Sequence, residues 1–364
     1  MSFSQLVPRN APVQLINADG KANSDDSYAT ASPAALAEGY RSLVVSRRVN
    51  DQCNALARQG RLAVYPSSHG QEACQVAAVS VLDDGDWLFP TYRDSVAVML
   101  RGVAPADALT QMRGDWHCGY DPSEFRVAPQ STPLATQLIH AVGFAHAAVF
   151  KGEPTVVMAL CGDGATSEGD FHEAMNFAAV FHLPVVFFVQ NNRFAISVPF
   201  AKQSAAESLA HKAAGYGMPG EQVDGNDLAA LLAVLGTAVK RARAGEGPTL
   251  VEAHTYRMQA HTNADDDTRY RDSEEVQEWV ARDPLARLRK YLRSKNALDD
   301  EKETVFAAEA EEIAATLREA LNTDIRPDAG ELFRHVYATS TPQLDEQWGS
   351  LRGELERSED GAQS

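Results

Sequence analysis

Apolar residues along this chain fall into two kinds of block, and each kind predicts an element. The first kind is a short continuous run: Thr155-Val-Val-Met-Ala-Leu160, Pro184-Val-Val-Phe-Phe-Val189 and the stretch from Pro248 to Ala253. Runs of that length between turn residues suit strands buried on both faces. The second kind recurs at helical spacing. Ser32-Pro33 supplies an N-cap followed by proline at the first helical position, and Gly60 can end that helix. A second helix is expected from Gln71 to Leu82, stopped by Asp83-Asp84-Gly85. A third opens at Ser131-Thr132-Pro133, with Leu138, Val142, Ala145 and Val149 on one face. Glu168 to Phe181 and Asp227 to Arg243 read as helices as well. Strand, helix, strand at this spacing predicts an α/β fold, a parallel sheet with helices on both faces.

The ends carry less apolar pattern. Residues 1–30 are polar and read as an extended, flexible N-terminal arm, and residues 31–295 form the α/β domain. Residues 296–356 are charged and helical, with Phe306, Ile313, Leu317 and Leu321 on one stripe that suits a core or docking face. Residues 357–364 read as a tail.

Charge and cysteine usage narrow the class. The 33 basic and 50 acidic residues leave a formal charge of −17, which disfavours a nucleic-acid or anionic-membrane partner. A local basic pocket for a phosphorylated ligand stays compatible with it. Cys53, Cys74, Cys118 and Cys161 form no C-x-x-C pair and no disulfide framework, so reduced, packed thiols are expected. There is no signal-peptide layout and no apolar run long enough to span a bilayer. A soluble, cytoplasmic protein is the expectation.

Candidate chemistry concentrates in one segment, LCGDGATSEGDFHEAMNFAAVFHLPVVFFVQNNRFAIS, from Leu160 to Ser197. One expected strand ends in Gly162-Asp163-Gly164 and the next in Asn191-Asn192. Both polar clusters therefore lie at C-terminal strand ends, where open parallel sheets bind ligands. The glycines allow a diphosphate to approach the backbone, and its charge suits the helix N-terminus that follows. Asp163 and Asn192 can reach one cation from neighbouring strands, and Mg²⁺ favours few protein oxygens plus phosphate and water. A dinucleotide fingerprint fails, because its third glycine would fall at Ser167, and no G-x-x-x-x-G-K-[ST] loop is present.

From Gly162-Asp163-Gly164 to Asn191-Asn192 the chain resembles the thiamine diphosphate fingerprint. The words GDGATSEGDFHEAMNFA and QNNRFAIS are similar to alpha subunits of the first, decarboxylating component of 2-oxo acid dehydrogenase complexes, and the resemblance extends from about Tyr40 to Leu292. It implies a thiamine diphosphate-binding fold that holds the diphosphate and Mg²⁺, with Gly162, Asp163, Gly164, Ala165 and Asn192 at the cofactor. Asp163, Asn192 and the main-chain oxygen of Phe194 would be the Mg²⁺ ligands. Phe89-Pro-Thr-Tyr-Arg-Asp94 is similar to the segment whose Tyr and Arg contact the diphosphate, which carries Tyr92 and Arg93 over. In the loop from Tyr256 to Asp266, His261 matches a histidine that faces the cofactor and helps acyl transfer; a near-neutral imidazole would suit that role.

Ser131-Thr-Pro-Leu-Ala-Thr-Gln137 resembles a branched-chain segment that binds K⁺. Ser131, Pro133, Thr136 and Gln137 would supply its oxygens, and Leu134 would lie near the thiazolium ring. A plain N-capped helix start explains the same residues. Gln190 departs from the family, standing where several branched-chain relatives have arginine. The spelling QNNRFAIS looks like pyruvate-type subunits, and PLATQ like branched-chain ones.

The resemblance implies oxidative decarboxylation of a 2-oxo acid with acyl transfer to lipoyl-lysine of an acyltransferase component. Branched-chain acids are the favoured substrates and pyruvate the alternative. The partner would be a beta subunit in an α2β2 heterotetramer, contributing the activating glutamate, so the chain alone should lack overall activity. A cofactor-binding paralogue without turnover and a nicotinamide dehydrogenase are the competing readings.

Overall fold

The structure is a computed structural model that describes residues 6–116, 118–323 and 328–362, without the side chains of 359–362. The chain forms two compact units, Met1–Asn322 and Thr323–Ser364.

The first unit is built on helix α1, Pro33–Arg58, where Ser32 Oγ accepts the Ala35 N–H at 3.2 Å, as an N-cap should. Helix α2, Glu72–Ser80, follows, and then the edge strand β1, Trp87–Phe89. Beyond it come helix α3 (Thr136–Lys151), strand β2 (Val157–Gly162), helix α4 (Gly169–Val180) and strand β3 (Val185–Asn191). Strand β4 (Gly220–Asp224), helix α5 (Leu228–Arg243) and strand β5 (Thr249–His254) complete the sheet. The order is β1-β2-β3-β5-β4 and every pair in it is parallel.

Alternation along the strands explains why helices cover both faces. Met158 and Leu160 of β2 join one buried cluster with α2 and α5 residues such as Val76 and Leu231. Val157, Ala159 and Cys161 join another with Leu138 of α3 and Phe171 of α4. The expected continuous apolar strands and two-faced cover are therefore present.

Several expectations are corrected. The arm expected over residues 1–30 is pinned to the sheet at residues 13–16, while residues 21–24 are exposed. Val13 bridges Val223 in parallel, and Leu15 and Ile16 are 1% exposed, their N–H groups both donating to Asp227 Oδ2 at 2.6 Å. Residues 1–5 lie outside the described residues. The third helix begins at Thr136 rather than at Ser131-Thr132-Pro133, because Ala135 takes a left-handed φ of 64° before it.

The helical C-terminal region divides between the units. Helix α6, Asp300–Asn322, belongs to the first and lays Phe306, Leu317 and Leu321 against its core, with Ile313 partly buried. The second unit contains Glu331–Arg334 and the helix α7, Pro342–Ala362, with the Phe333 and Trp348 rings 5.5 Å apart. Helix therefore replaces the tail expected from 357 as far as Ala362, and residues 363 and 364 lie outside the described ones. Among the described residues no helix is long and apolar enough to cross a membrane.

Candidate functional site

Four segments leave the C-terminal ends of β1, β2, β3 and β5 and meet in one cavity of about 270 Å³. Tyr92 and Arg93 arrive from β1, Gly162 to Ala165 from β2, Asn192 and Phe194 from β3, and Arg257 and His261 from β5. Ser131, Pro133, Leu134 and Gln137 close one side. Every residue expected at the cofactor, and each proposed ligand except Thr136, lines this cavity. Thr136, half-buried at the start of α3, stands off the wall.

Asp163 opens a short turn, Asp163–Ser167, directly after β2. Its carboxylate is 1% exposed, and Oδ2 has no hydrogen-bond partner. Burial raises its pKa to about 6. Leaving a carboxylate oxygen buried and unsatisfied is costly, and a bound cation would relieve it. Beside it, past the end of the neighbouring strand, Asn192 donates through Nδ2 to Gln71 Oε1 at 3.0 Å, and its Oδ1 takes a 3.3 Å contact from Phe194 N–H. The turn beyond is held at positive φ by two non-glycine residues, Arg193 at 73° and Ile196 at 57°. Such conformations persist where surrounding structure enforces them, commonly at functional sites. Among the described residues no three His, Cys, Asp or Glu side chains cluster to hold a metal. A cation here would thus need ligands beyond such side chains, as Mg²⁺ beside a diphosphate takes phosphate oxygens and water.

Glycine at 162 is not demanded by protein packing, since a Cβ there would meet no atom within 4 Å. At Gly164 a Cβ would come 3.0 Å from that of Ala195, so the turn and the Phe194–Ala195 strand approach closely.

Part of the cavity wall is cationic. Arg93 Nη1 donates to Ser67 O at 2.8 Å, and its Nη2 lies 3.0 Å from His261 Nδ1. Arg257 places Nη1 3.2 Å from the same nitrogen and binds Ile196 O and Tyr270 Oη through Nη2, both at 2.9 Å. Burial and the two guanidiniums lower His261 to about 4. Burial and Arg93 lower Arg257 to about 10, leaving it charged at neutral pH. The near-neutral titration expected of His261 is therefore not what its neighbours impose. An acidic chain nonetheless holds a two-arginine pocket suited to a phosphate.

Gln137 donates to Leu160 O at 2.8 Å while its buried Oε1 has no partner. Ser131 Oγ donates to Pro133 O at 3.2 Å. Leu134 remains 42% exposed on the cavity wall, as do Ile196 at 55% and Val198 at 43%.

Arg257, Gln71 and Gln203 were not assigned to the site from sequence. Arg257 lies four residues before His261 in the same strand-end loop, and that spacing was the available signal. Gln203 Nε2 donates to Asp163 O at 2.6 Å, a partnership across 40 residues with no local signature.

Comparison with known proteins shows the family of the chain. The family profile described as "Dehydrogenase E1 component" matches residues 41–326. The chain is 47% identical over 349 residues to 3-methyl-2-oxobutanoate dehydrogenase subunit alpha of Mycobacterium tuberculosis, covering 96% of this chain and 95% of that one. It is 38% identical over 338 residues to pyruvate dehydrogenase E1 component subunit alpha of Staphylococcus aureus, covering 92% and 91%. A chain matched this widely belongs to the dehydrogenase E1 component family.

Proposed function

We propose that this chain is the alpha subunit of a branched-chain 2-oxo acid dehydrogenase first component, acting with a beta subunit and passing the acyl group to lipoyl-lysine of an acyltransferase. Membership of the family implies thiamine diphosphate dependence and an oxidoreductase activity. The observation that carries the site reading is the buried Asp163 carboxylate, one oxygen unpartnered, beside Asn192 at the adjoining strand end. Asp163, Asn192 and the main-chain oxygen of Phe194 are the proposed Mg²⁺ ligands.

Tyr92, Arg93 and the Gly162–Ala165 turn are assigned to the diphosphate, joined by Arg257. Leu134 is assigned to the thiazolium ring. Bound there, thiamine diphosphate supplies the nucleophilic carbon and electron sink for decarboxylation. The protein's part is to fix and neutralise the diphosphate and to hold a proton at His261 Nε2, ready to donate to a reacting oxygen. Gln137, with its unpartnered Oε1, supports a K⁺ site shared with Ser131, Pro133 and Thr136. Exposed Leu134, Ile196 and Val198 on the wall support a second polypeptide, the beta subunit, completing the site. Four unpaired cysteines fit a cytoplasmic setting.

Branched-chain acids are favoured over pyruvate by the 47% and 38% identities of relatives with those names. Co-expression with the beta subunit, followed by kinetics on 3-methyl-2-oxobutanoate and pyruvate, tests this. A higher kcat/KM for the branched acid is expected, and a preference for pyruvate would reassign the substrate. No turnover of either, with cofactor bound, would favour the paralogue reading.

A further inference from the structure

We propose that Asp94, Gln190 and Gln71 are positioning residues, a directional amide relay that turns the Asn192 carboxamide so that its oxygen faces the cation. The proposal rests on the reading of Asp163 and Asn192 as cation ligands.

All four groups are buried. Gln190 Nε2 donates to Asp94 Oδ1 at 2.7 Å, Gln71 Nε2 to Gln190 Oε1 at 3.2 Å, and Asn192 Nδ2 to Gln71 Oε1 at 3.0 Å. An amide can rotate to exchange its oxygen and nitrogen, so three in a row could run either way. One end is fixed. The Thr91 main-chain N–H, which cannot accept, donates to Asp94 Oδ2 at 2.8 Å, joined by Thr91 Oγ1 at 2.6 Å. Ionised Asp94 can only accept, so it takes Gln190 Nε2 at its other oxygen; each amide in turn must point its NH₂ toward Asp94, and the last oxygen, Asn192 Oδ1, is turned toward the ligand. Phe194 N–H favours the same orientation through a longer contact of 3.3 Å. The glutamine at 190, which leaves the site without an arginine there, thereby gains a role of its own.

Reversal follows from one substitution. In Asp94→Asn the new oxygen stays with the Thr91 N–H, so the new NH₂ faces Gln190. That amide and the two after it are driven to turn, and an NH₂ is pushed toward the cation.

The test is Mg²⁺ affinity by calorimetry at saturating thiamine diphosphate, with thermal midpoints, on the chain co-purified with its beta subunit. Asp94→Asn should weaken Mg²⁺ binding roughly tenfold, as loss of outer partners of a metal ligand does. Gln71→Met should weaken it similarly, and adding Asp94→Asn to Gln71→Met should change little, because the relay is already cut. An equal loss in both backgrounds would show that only the charge of Asp94 acts and would overturn the relay. Asp94→Asn combined with Gln71→Glu should recover affinity to within about threefold, since a carboxylate at position 71 accepts from both neighbours. Failure to recover, with the protein folded, would also overturn it. Asp163→Ala separates the two readings. If it leaves Mg²⁺ affinity intact, the metal site itself is wrong. If it abolishes binding while Asp94→Asn is silent, only the relay falls.

Discussion

Arg93 Nη2 stands 3.0 Å from His261 Nδ1, and a guanidinium can only donate. The imidazole must accept there, as it must from Arg257 at 3.2 Å. The ring is consequently neutral with its proton on Nε2. A histidine that looks from sequence like a poised acid–base group is, in place, a fixed hydrogen-bond donor.

That relationship sets a pH dependence. Burial and the two guanidiniums bring His261 from 6.5 to about 4. The folded state then binds fewer protons than the unfolded chain between those values, so its contribution to stability is present above 6.5 and lost as pH falls through 4. NMR of the labelled imidazole should show no titration near neutrality. A midpoint near 6.5 would contradict the arrangement.

Removing one guanidinium should release the histidine. Arg257→Met is expected to move the His261 midpoint upward and to weaken thiamine diphosphate binding by roughly tenfold to a hundredfold, the worth of a charge-assisted hydrogen bond. Calorimetry on the αβ assembly measures the second effect. Unchanged affinity would remove Arg257 from the diphosphate site.

Gly70 lies behind this wall with φ of +98°, and a Cβ there would come 2.3 Å from Tyr256 O. Gly70→Ala should therefore destabilise by about 2–4 kcal/mol. It should also shift the loop bearing Arg257 and His261 and weaken cofactor binding without touching the cavity. Denaturant melts and calorimetry check both effects, and a neutral result would mean the loop yields easily.

The N-terminal segment makes a separate prediction. Asp227 caps α5 through Ala229 N–H and Ala230 N–H while accepting from Leu15 and Ile16. Asp227→Ala leaves those buried donors unsatisfied and should cost about 2–4 kcal/mol. Limited proteolysis should then cut before residue 30 more readily than in the parent.

Why some of this was legible in sequence and some was not follows from where partners lie. Strands β2 and β3 are buried on both faces, so their apolar runs announce them, and their ends mark Asp163 and Asn192. Strand β4 carries Glu221, Gln222 and Asp224 and shows no such run. Its polar groups are satisfied by the N-terminal segment, Gln222 donating to Arg9 O at 2.6 Å and Glu221 accepting from Tyr28 at 3.1 Å. The same pairing makes residues 13–16 look like an arm until both halves are seen together. Gln71 has its site partner 121 residues away, a distance no local pattern spans.

We propose that Asp163 and Asn192 hold the cation that anchors thiamine diphosphate. Anomalous diffraction from crystals of the αβ assembly grown with thiamine diphosphate and Mn²⁺ tests it most directly. One metal peak in this cavity is expected, bonded to Asp163, Asn192 Oδ1 and the diphosphate, and lost in Asp163→Ala. A cofactor bound here with its metal on other residues would contradict it.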